Sequence, residues 1–356
     1  MQHTAVFTGG GSAGHVTPNL ALMRALRREG YAIHYIGTKS GIERKLIEEE
    51  GGIPYHAISA GKLRRYFSLE NVADVFRTLR GVGQARRLVK TLRPDVVFSK
   101  GGYVSVPVVA GARGLTNIVV HESDYTPGLS NRIANRYATT VCVTFEDTLA
   151  HVGEKGVFTG TPIRAELYGG AAARGRVFAG LAGSKPVLLT MGGSLGAQAV
   201  NDALRAALPE LLKTFDIVHL CGAGKVSAQH AQPGYVQYEY ISKELPDLLA
   251  AADIVLSRAG ANAVFELLAL KKPALLVPLP KSASRGDQIL NARYFEKKGY
   301  AAVLPQEELT PEALAAALLA LYRDRARYVA AMAAAAHADG TEAVLGEIRR
   351  AAEAKR

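Results

Sequence analysis

The chain opens with a short, β-rich run, HTAVFTG (residues 3–9). It is followed by TPNLALMRALRREG (17–30), whose apolar positions recur at helical spacing. The alternation continues: YAIHYIGT, DVVFSKGG, NIVVHES and TTVCVTF read as short strands with helical stretches between them. Strands alternating with helices predict α/β folding around a parallel, doubly wound sheet. Thr17 suits a helix N-cap, Pro18 the first helical position and Gly30 the stop. After FTGTPIRAELYG (158–169) the pattern restarts with KPVLLTMGG as a new first strand and GAQAVNDALRAALPELLKTF as its helix. DIVHLCG, YVQYEYI, DIVLSRAG, PALLVPLP and YAAVLPQ follow as further strands, which makes two doubly wound domains joined near residues 160–182. The alanine-rich segment from residue 311 to 336 predicts one or two helices, and GTEAVLGEIRRAAEAKR a separate amphipathic one.

Length and composition fit that picture. With 356 residues and 48% hydrophobic content, two ordinary α/β domains can each bury a core. The longest apolar runs, such as VSVPVVAGA, fall well short of the ~20 residues that span a bilayer. The first residues lead straight into a strand without a cationic leader, so no secretion is expected. Cys142 and Cys221 sit in apolar strand contexts and are expected to be buried, reduced thiols.

One glycine-rich pattern occurs twice. TGGGSAGH (8–15) and TMGGSLGA (190–197) share G-G-S-x-G at an offset of 182 residues, each between a first strand and its helix. Three chemistries fit. Gly9, Gly11 and Gly14 satisfy a dinucleotide fingerprint, but Lys39 stands where an acidic ribose ligand belongs. Both turns also satisfy G-x-S-x-G, with Ser12 or Ser194 as nucleophile and His219 or His337 as a base, though a single-nucleophile mechanism has no use for two. The third is a pair of anion-binding turns, where backbone N–H groups and helix dipoles meet two phosphate-bearing substrates. The net charge of +11, with 20 basic against 13 acidic side chains in residues 1–163, agrees with an anionic partner.

Eight stretches together resemble the MurG family: GGGSAGHVTPNLAL, SKGGYVSVPVVAG, HESDYTPGLSNRIA, GTPIR, MGGSLGAQAVN, SRAGANAVFELLAL, VPLPKSASRGDQILNA and YFEKKGYA, in that order. These are bacterial glycosyltransferases of the GT-B architecture that move GlcNAc from UDP-GlcNAc to lipid I, giving lipid II. KLRRYFS and HESD look like the Gram-positive version. The resemblance implies two Rossmann-like domains facing a cleft, with the C-terminal helix returning to the first domain. Residues 1–162 plus 341–356 would take the acceptor and lie on the membrane side, and 163–340 would bind UDP-GlcNAc. The reaction would be an inverting transfer to the 4-hydroxyl of MurNAc in undecaprenyl-pyrophosphoryl-MurNAc-pentapeptide, in peptidoglycan synthesis. Another lipid acceptor such as diacylglycerol is the alternative, and a module that only binds nucleotide sugars is a further one.

The resemblance also carries over individual residues. Gly11 would face the acceptor, and Ser12, Ala13 and Gly14 the acceptor pyrophosphate and the donor sugar; the family usually has T-G-G-H, so Ser12 and Ala13 depart from it. His15 is the candidate base and Glu122 its competitor. Asp124 stands where many relatives have a sugar-contacting Asn, and it lacks the amide donor. Lys100, Gly101, Gly102, Tyr103 and Ser105 would form a second glycine loop near the acceptor. Arg164 and the turn of Gly193, Ser194, Leu195 and Gly196 would meet the UDP phosphates, and Ile241 the uracil. Ala261, Asn262, Ala263, Val264, Phe265 and Glu266 would wrap the nucleotide sugar, with Glu266 on the ribose hydroxyls. Gln288 would contact GlcNAc, whereas Asp287 replaces the first of the family's paired Gln residues.

No metal-ligand motif is present, so a metal-independent reaction without a cofactor is expected. Residues 61–95 carry nine basic and three acidic side chains, with Leu69, Val72, Val75, Phe76 and Leu79 interleaved. Read alone, this is a core-packed amphipathic helix; with a polyprenyl acceptor it becomes a peripheral docking surface for the anionic cytoplasmic face of the membrane. No nucleic-acid partner is expected, and other cell-wall synthesis proteins are possible partners.

Overall fold

The computed structural model describes residues 2–62, 69–193 and 196–354. The chain divides into two compact units, residues 1–163 with 339–356 and residues 164–338. In the first, the strands are β1 (Thr4–Thr8), β2 (Ala32–Thr38), β3 (Tyr55–Ile58), β4 (Val96–Ser99), β5 (Asn117–Glu122), β6 (Thr140–Val143) and β7 (Gly156–Phe158). Its helices are α1 (Thr17–Arg28), α2 (Ile42–Glu50), α3 (Leu69–Leu92), α4 (Ser105–Ala112), α5 (Leu129–Asn135) and α6 (Leu149–Val152). The second unit holds α7 (Ala172–Phe178), β8 (Val187–Met191), α8 (Gln198–Leu211), β9 (Asp216–Leu220), β10 (Tyr235–Tyr238), α9 (Leu245–Ala251) and β11 (Ile254–Ser257). It continues with α10 (Ala261–Ala269), β12 (Ala274–Leu276), α11 (Asp287–Lys297), β13 (Ala302–Val303), α12 (Pro311–Arg323) and α13 (Arg325–Ala333), and α14 (Thr341–Glu353) belongs to the first unit.

Both sheets are parallel, with strand orders β3-β2-β1-β4-β5-β6-β7 and β10-β9-β8-β11-β12-β13. Each first strand therefore lies mid-sheet, where the order reverses. Side chains alternate between two apolar layers. Phe7, Tyr35, Phe98 and Val119 face one core, and Val6, Ile36, Val97 and Val120 the other. The first layer is closed by α1 and α14, whose Val344, Leu345 and Ile348 are fully buried beside Leu22 and Leu26. At about 1.5–3 kcal/mol for each buried aliphatic side chain, that contact is strong enough to hold the returning helix.

Two local expectations need correction. Edge strands β3 and β7 are absent from the strand pattern read in the sequence; being short and half-buried, they carry little apolar signal. Thr17 is the first helical residue and Val16 takes the N-cap position, because the short turn Ala13–His15 runs straight into α1 and Thr17 Oγ1 donates to Ala13 O at 3.1 Å. The alanine-rich segment breaks at Asp324 into α12 and α13. Gly30 does end its helix, at φ +90°, with Tyr31 N–H donating to Leu26 O.

Candidate active site

The first glycine turn leaves the C-terminal end of β1. Gly11 has φ +83°, and a Cβ there would come within 2.5 Å of the Tyr103 ring. Beneath the turn, Asn19 Nδ2 donates to Thr8 O (3.3 Å) and Tyr35 Oη to Gly9 O (2.7 Å). Two of the turn's backbone donors are already engaged. Gly10 N–H reaches Gly101 O at 3.3 Å, and Gly11 N–H reaches Glu43 Oε2 at 3.3 Å. Glu43, which the sequence reading missed, is fully buried and also accepts from Thr38 N (3.1 Å) and from Thr38 Oγ1. A Cβ on Gly10 or Gly37 would come within 2.7–2.9 Å of its side chain, so both glycines make room for a buried carboxylate. Gly11, Ser12 and Ala13 are exposed, and Gly14 and His15 half-buried. A Cβ on Gly102 would press on Gly10 O and come within 3.0 Å of His15 Cδ2, so the structure brings His15 and the second glycine loop together.

Glu122 ends β5 almost without solvent exposure. Its Oε1 accepts from Asp124 N (2.9 Å) and its Oε2 from Gly128 N (3.3 Å) and Asn131 Nδ2 (2.8 Å). Burial pushes its carboxyl up to about 7, and the nearby Asp124 adds to that. These bonds make Glu122 the staple of the HESD loop. Two acceptor-loop expectations change. Lys100 is fully buried, with Nζ 3.0 Å from His121 Nδ1 and bonded to Ser123 Oγ, so its charge is not offered at the loop surface. Ser105 is also fully buried, and its hydroxyl donates to Gly102 O at 2.8 Å, bracing the start of α4.

In the second unit, Ser194 and Leu195 lie outside the described residues. The glycines flanking them, Gly193 (φ +81°) and Gly196 (φ +67°), are both left-handed; a Cβ on Gly196 would run into Cys221 O, while one on Gly193 would meet nothing within 4 Å. Asn201 supports this turn: Nδ2 donates to Cys221 O (2.8 Å) and Oδ1 lies 2.9 Å from His219 Nε2. His219 Nδ1 sits 2.7 Å from Tyr235 Oη, and burial drives the imidazole down to about 3. His219 is thus spent on Asn201 and Tyr235 and is no base for a serine. Cys142 and Cys221 are both free and buried.

Arg164 and Glu266 meet in a bidentate pair, Nε to Oε1 at 2.8 Å and Nη2 to Oε2 at 3.0 Å, with side chains 25% and 15% exposed. Ala261, Val264 and Phe265 are core residues, Phe265 edge-on to Phe295, so this stretch can offer a ligand only its backbone and the side chains of Asn262, Ala263 and Glu266. Gln288 Oε1 accepts from Ala259 N (3.3 Å) and Leu279 N (3.0 Å), which uses both of its lone pairs and leaves its amide Nε2 as the donor end of the side chain. Ile241 is half-buried beside exposed Tyr240.

Family models match both units: the glycosyltransferase family 28 N-terminal domain over residues 5–143 and the C-terminal domain over 187–344. A Geobacillus thermodenitrificans protein named UDP-N-acetylglucosamine–N-acetylmuramyl-(pentapeptide) pyrophosphoryl-undecaprenol N-acetylglucosamine transferase is 54% identical, covering 99% of this chain and 100% of its own. A Clostridium tetani protein of the same name is 49% identical over 98% of both chains. Among solved structures, Acinetobacter baumannii MurG superposes with a TM-score of 0.79 at 27% identity, covering 98% of this chain and all of that one. The calicheamicin glycosyltransferase CalG4 shares the fold, with a TM-score of 0.71 at 18% identity over 98% of both chains. By family model, whole-chain identity and superposition, the chain belongs to glycosyltransferase family 28 and, within it, to the MurG enzymes.

Proposed function

We propose that this chain transfers GlcNAc from UDP-GlcNAc to the 4-hydroxyl of MurNAc in undecaprenyl-pyrophosphoryl-MurNAc-pentapeptide, converting lipid I to lipid II. The observation that carries the reading is the 54% identity over the full length to a relative named for this transfer. The donor binds the second unit. Its diphosphate lies against the open turn at Gly193 and Arg164, its ribose against Glu266, its uracil at Ile241 and its GlcNAc near Asn262 and Gln288. The acceptor binds the first unit, along Gly11, Ser12, Ala13, Gly14 and the Gly101–Tyr103 loop, with Asp124 beside the sugar.

The reaction is a single inverting displacement. The acceptor oxygen forms its bond to the anomeric carbon as the bond to the UDP oxygen breaks, and the hydroxyl proton passes to a base. His15 takes that part: it stands at the exposed turn, whereas both Glu122 oxygens are occupied by the HESD loop. Arg164 stabilises charge on the departing diphosphate once ligand competes for its carboxylate partner.

The first unit also docks on the membrane, at its cytoplasmic face. On α3, Val72, Val75, Phe76 and Leu79 are 51%, 44%, 67% and 61% exposed, a stripe at helical spacing. Arg77, Arg80, Arg86 and Arg87 of the same helix are exposed too. No helix among the described residues is long and apolar enough to cross a membrane, which fits a peripheral mode.

The test is UDP release from UDP-GlcNAc with and without a short-chain lipid I analogue. Acceptor-dependent release, with UDP-glucose much poorer, is the expected result. Binding of UDP-GlcNAc without release on this acceptor overturns the acceptor assignment and points to another lipid.

A further inference from the structure

Lys100 follows β4 directly, and its backbone N–H donates to Thr8 O, the last residue of β1 (3.0 Å). Its side chain then runs inward, with no solvent exposure. The ammonium donates to two neutral acceptors, His121 Nδ1 at 3.0 Å and Ser123 Oγ. His121 in turn is fixed from the other side: Nε2 lies 2.9 Å from Gly160 O, a carbonyl that can only accept, so the ring carries its proton on Nε2 and leaves Nδ1 bare for Lys100. A second positive charge 3 Å away is excluded, and burial together with Lys100 holds His121 well below its ordinary value. The network therefore has a single arrangement near neutral pH.

Its reach is wider than its size. One buried cation ties the ends of β1 and β4 to His121 and Ser123, the residues on either side of Glu122, and through the ring to Gly160 beyond β7. Burying a lysine without a bonded carboxylate is costly, and a core needing only stability is served as well by an apolar side chain. The titratable groups facing it are Glu122 and Asp124 from β5 and its following loop, and the Cys142 thiol from β6, which burial keeps protonated.

We propose that Lys100 is a positioning residue for the transfer reaction, one that ties the bare Nδ1 of His121, whose tautomer Gly160 O sets, to the Ser123 hydroxyl and so holds the Glu122–Asp124 loop in its working geometry. The inference rests on the acceptor assignment above. It differs from the role in which Lys100 contacts the acceptor directly, since a fully buried ammonium with these two bonds does not reach a ligand.

The experiment pairs Lys100→Met with Ser123→Ala. Steady-state UDP release is measured with UDP-GlcNAc and the short-chain acceptor analogue. The imidazole spectrum of 15N-histidine-labelled protein is recorded alongside, with His121 assigned by difference from His121→Asn. In wild type, His121 shows one neutral Nε2–H form. In Lys100→Met the Nε2–H form persists, since Gly160 O sets it, but the Nδ1 resonance moves as its bond to the ammonium is lost, and turnover falls by about tenfold or more while KM for UDP-GlcNAc stays within about twofold, because a displaced loop costs positioning and not donor contacts. Ser123→Ala loses one bond and no charge, and its turnover falls about threefold with folding intact. An unmoved His121 spectrum in Lys100→Met, or a moved spectrum with turnover within twofold of wild type, overturns the proposal. Should Lys100→Met fail to fold, Ser123→Ala decides: wild-type turnover overturns it. Should wild type itself release no UDP, the transfer reading fails, and the His121 spectrum alone decides whether Lys100 bonds the ring.

Discussion

The two glycine turns share G-G-S-x-G, follow the first strand of each unit, and lean on an asparagine at the same 182-residue offset, Asn19 and Asn201. Their surroundings differ. The first turn is buttressed: Gly10 and Gly11 spend their N–H groups on Gly101 O and the Glu43 carboxylate, and Tyr103 packs on Gly11. In the second, a Cβ on Gly193 would meet nothing within 4 Å, and the Gly196 N–H closes back on Gly193 O at 2.9 Å. An anion site needs unspent donors and no competing carboxylate. The same motif is therefore buttressed by a carbonyl and a carboxylate in one unit and left uncrowded at Gly193 in the other, a contrast that favours the proposed split of acceptor positioning and diphosphate binding.

The largest test of this contrast is His15→Ala, on the buttressed turn. Turnover falls by about 10²–10⁴-fold, the range for a lost general base, with donor affinity unchanged in a calorimetric titration. Turnover near wild type removes His15 as the base. Next, replacing Phe76 and Leu79 by Ser weakens sedimentation with anionic vesicles by about tenfold or more, since both exposed side chains lose their apolar area, while Tm moves little. Equal vesicle binding places the membrane contact elsewhere. Third, Glu43→Gln loses the charge on the Gly11 N–H bond. It lowers stability by about 1–3 kcal/mol in denaturant unfolding and raises the acceptor KM by roughly tenfold, leaving the donor KM alone. A donor KM that rises instead would mean the buttress serves the wrong substrate.

A smaller effect concerns pH. Glu122 is raised from 4.5 to about 7, so the folded state holds its proton more tightly; that contribution is complete below 4.5 and is lost as pH climbs to 7. Lys100 is lowered from 10.5 to about 8, so the folded state gives up its proton first. Its burden on stability is complete below 8 and is relieved as pH rises toward 10.5. Thermal unfolding of wild type across these windows should fall through the first and recover through the second, by up to a few kcal/mol each. Glu122→Gln flattens the first limb and Lys100→Met the second; an unaltered limb in either variant assigns the titration to other groups.

Much of the fold was legible. Buried parallel strands such as VVFS and IVLS are apolar on both faces and announce themselves, whereas edge strands β3 and β7 do not. The motifs located the two turns, yet a motif says where a site lies and not which atom faces the ligand. Glu43 went unread because its contact with Gly11 spans 32 positions. Lys100 read as a charge in the loop near the acceptor, because lysines almost never bury. Val264 and Phe265 belong to the motif through their helix and to the core through their side chains. The Arg164–Glu266 pairing, across 102 positions, has no local signal. A Gly next to a buried charge, as at Gly10 and Gly37, is the one trace the sequence held of Glu43, and it is visible only once the partner is known.

The most direct measurement of the division between the turns is calorimetric titration of UDP-GlcNAc into wild type, Glu43→Gln and Glu266→Gln. A buttressed first turn and a donor-binding second unit predict a Kd within about twofold of wild type for Glu43→Gln and about tenfold weaker for Glu266→Gln. The reverse order, with Glu43→Gln impaired and Glu266→Gln intact, would contradict it.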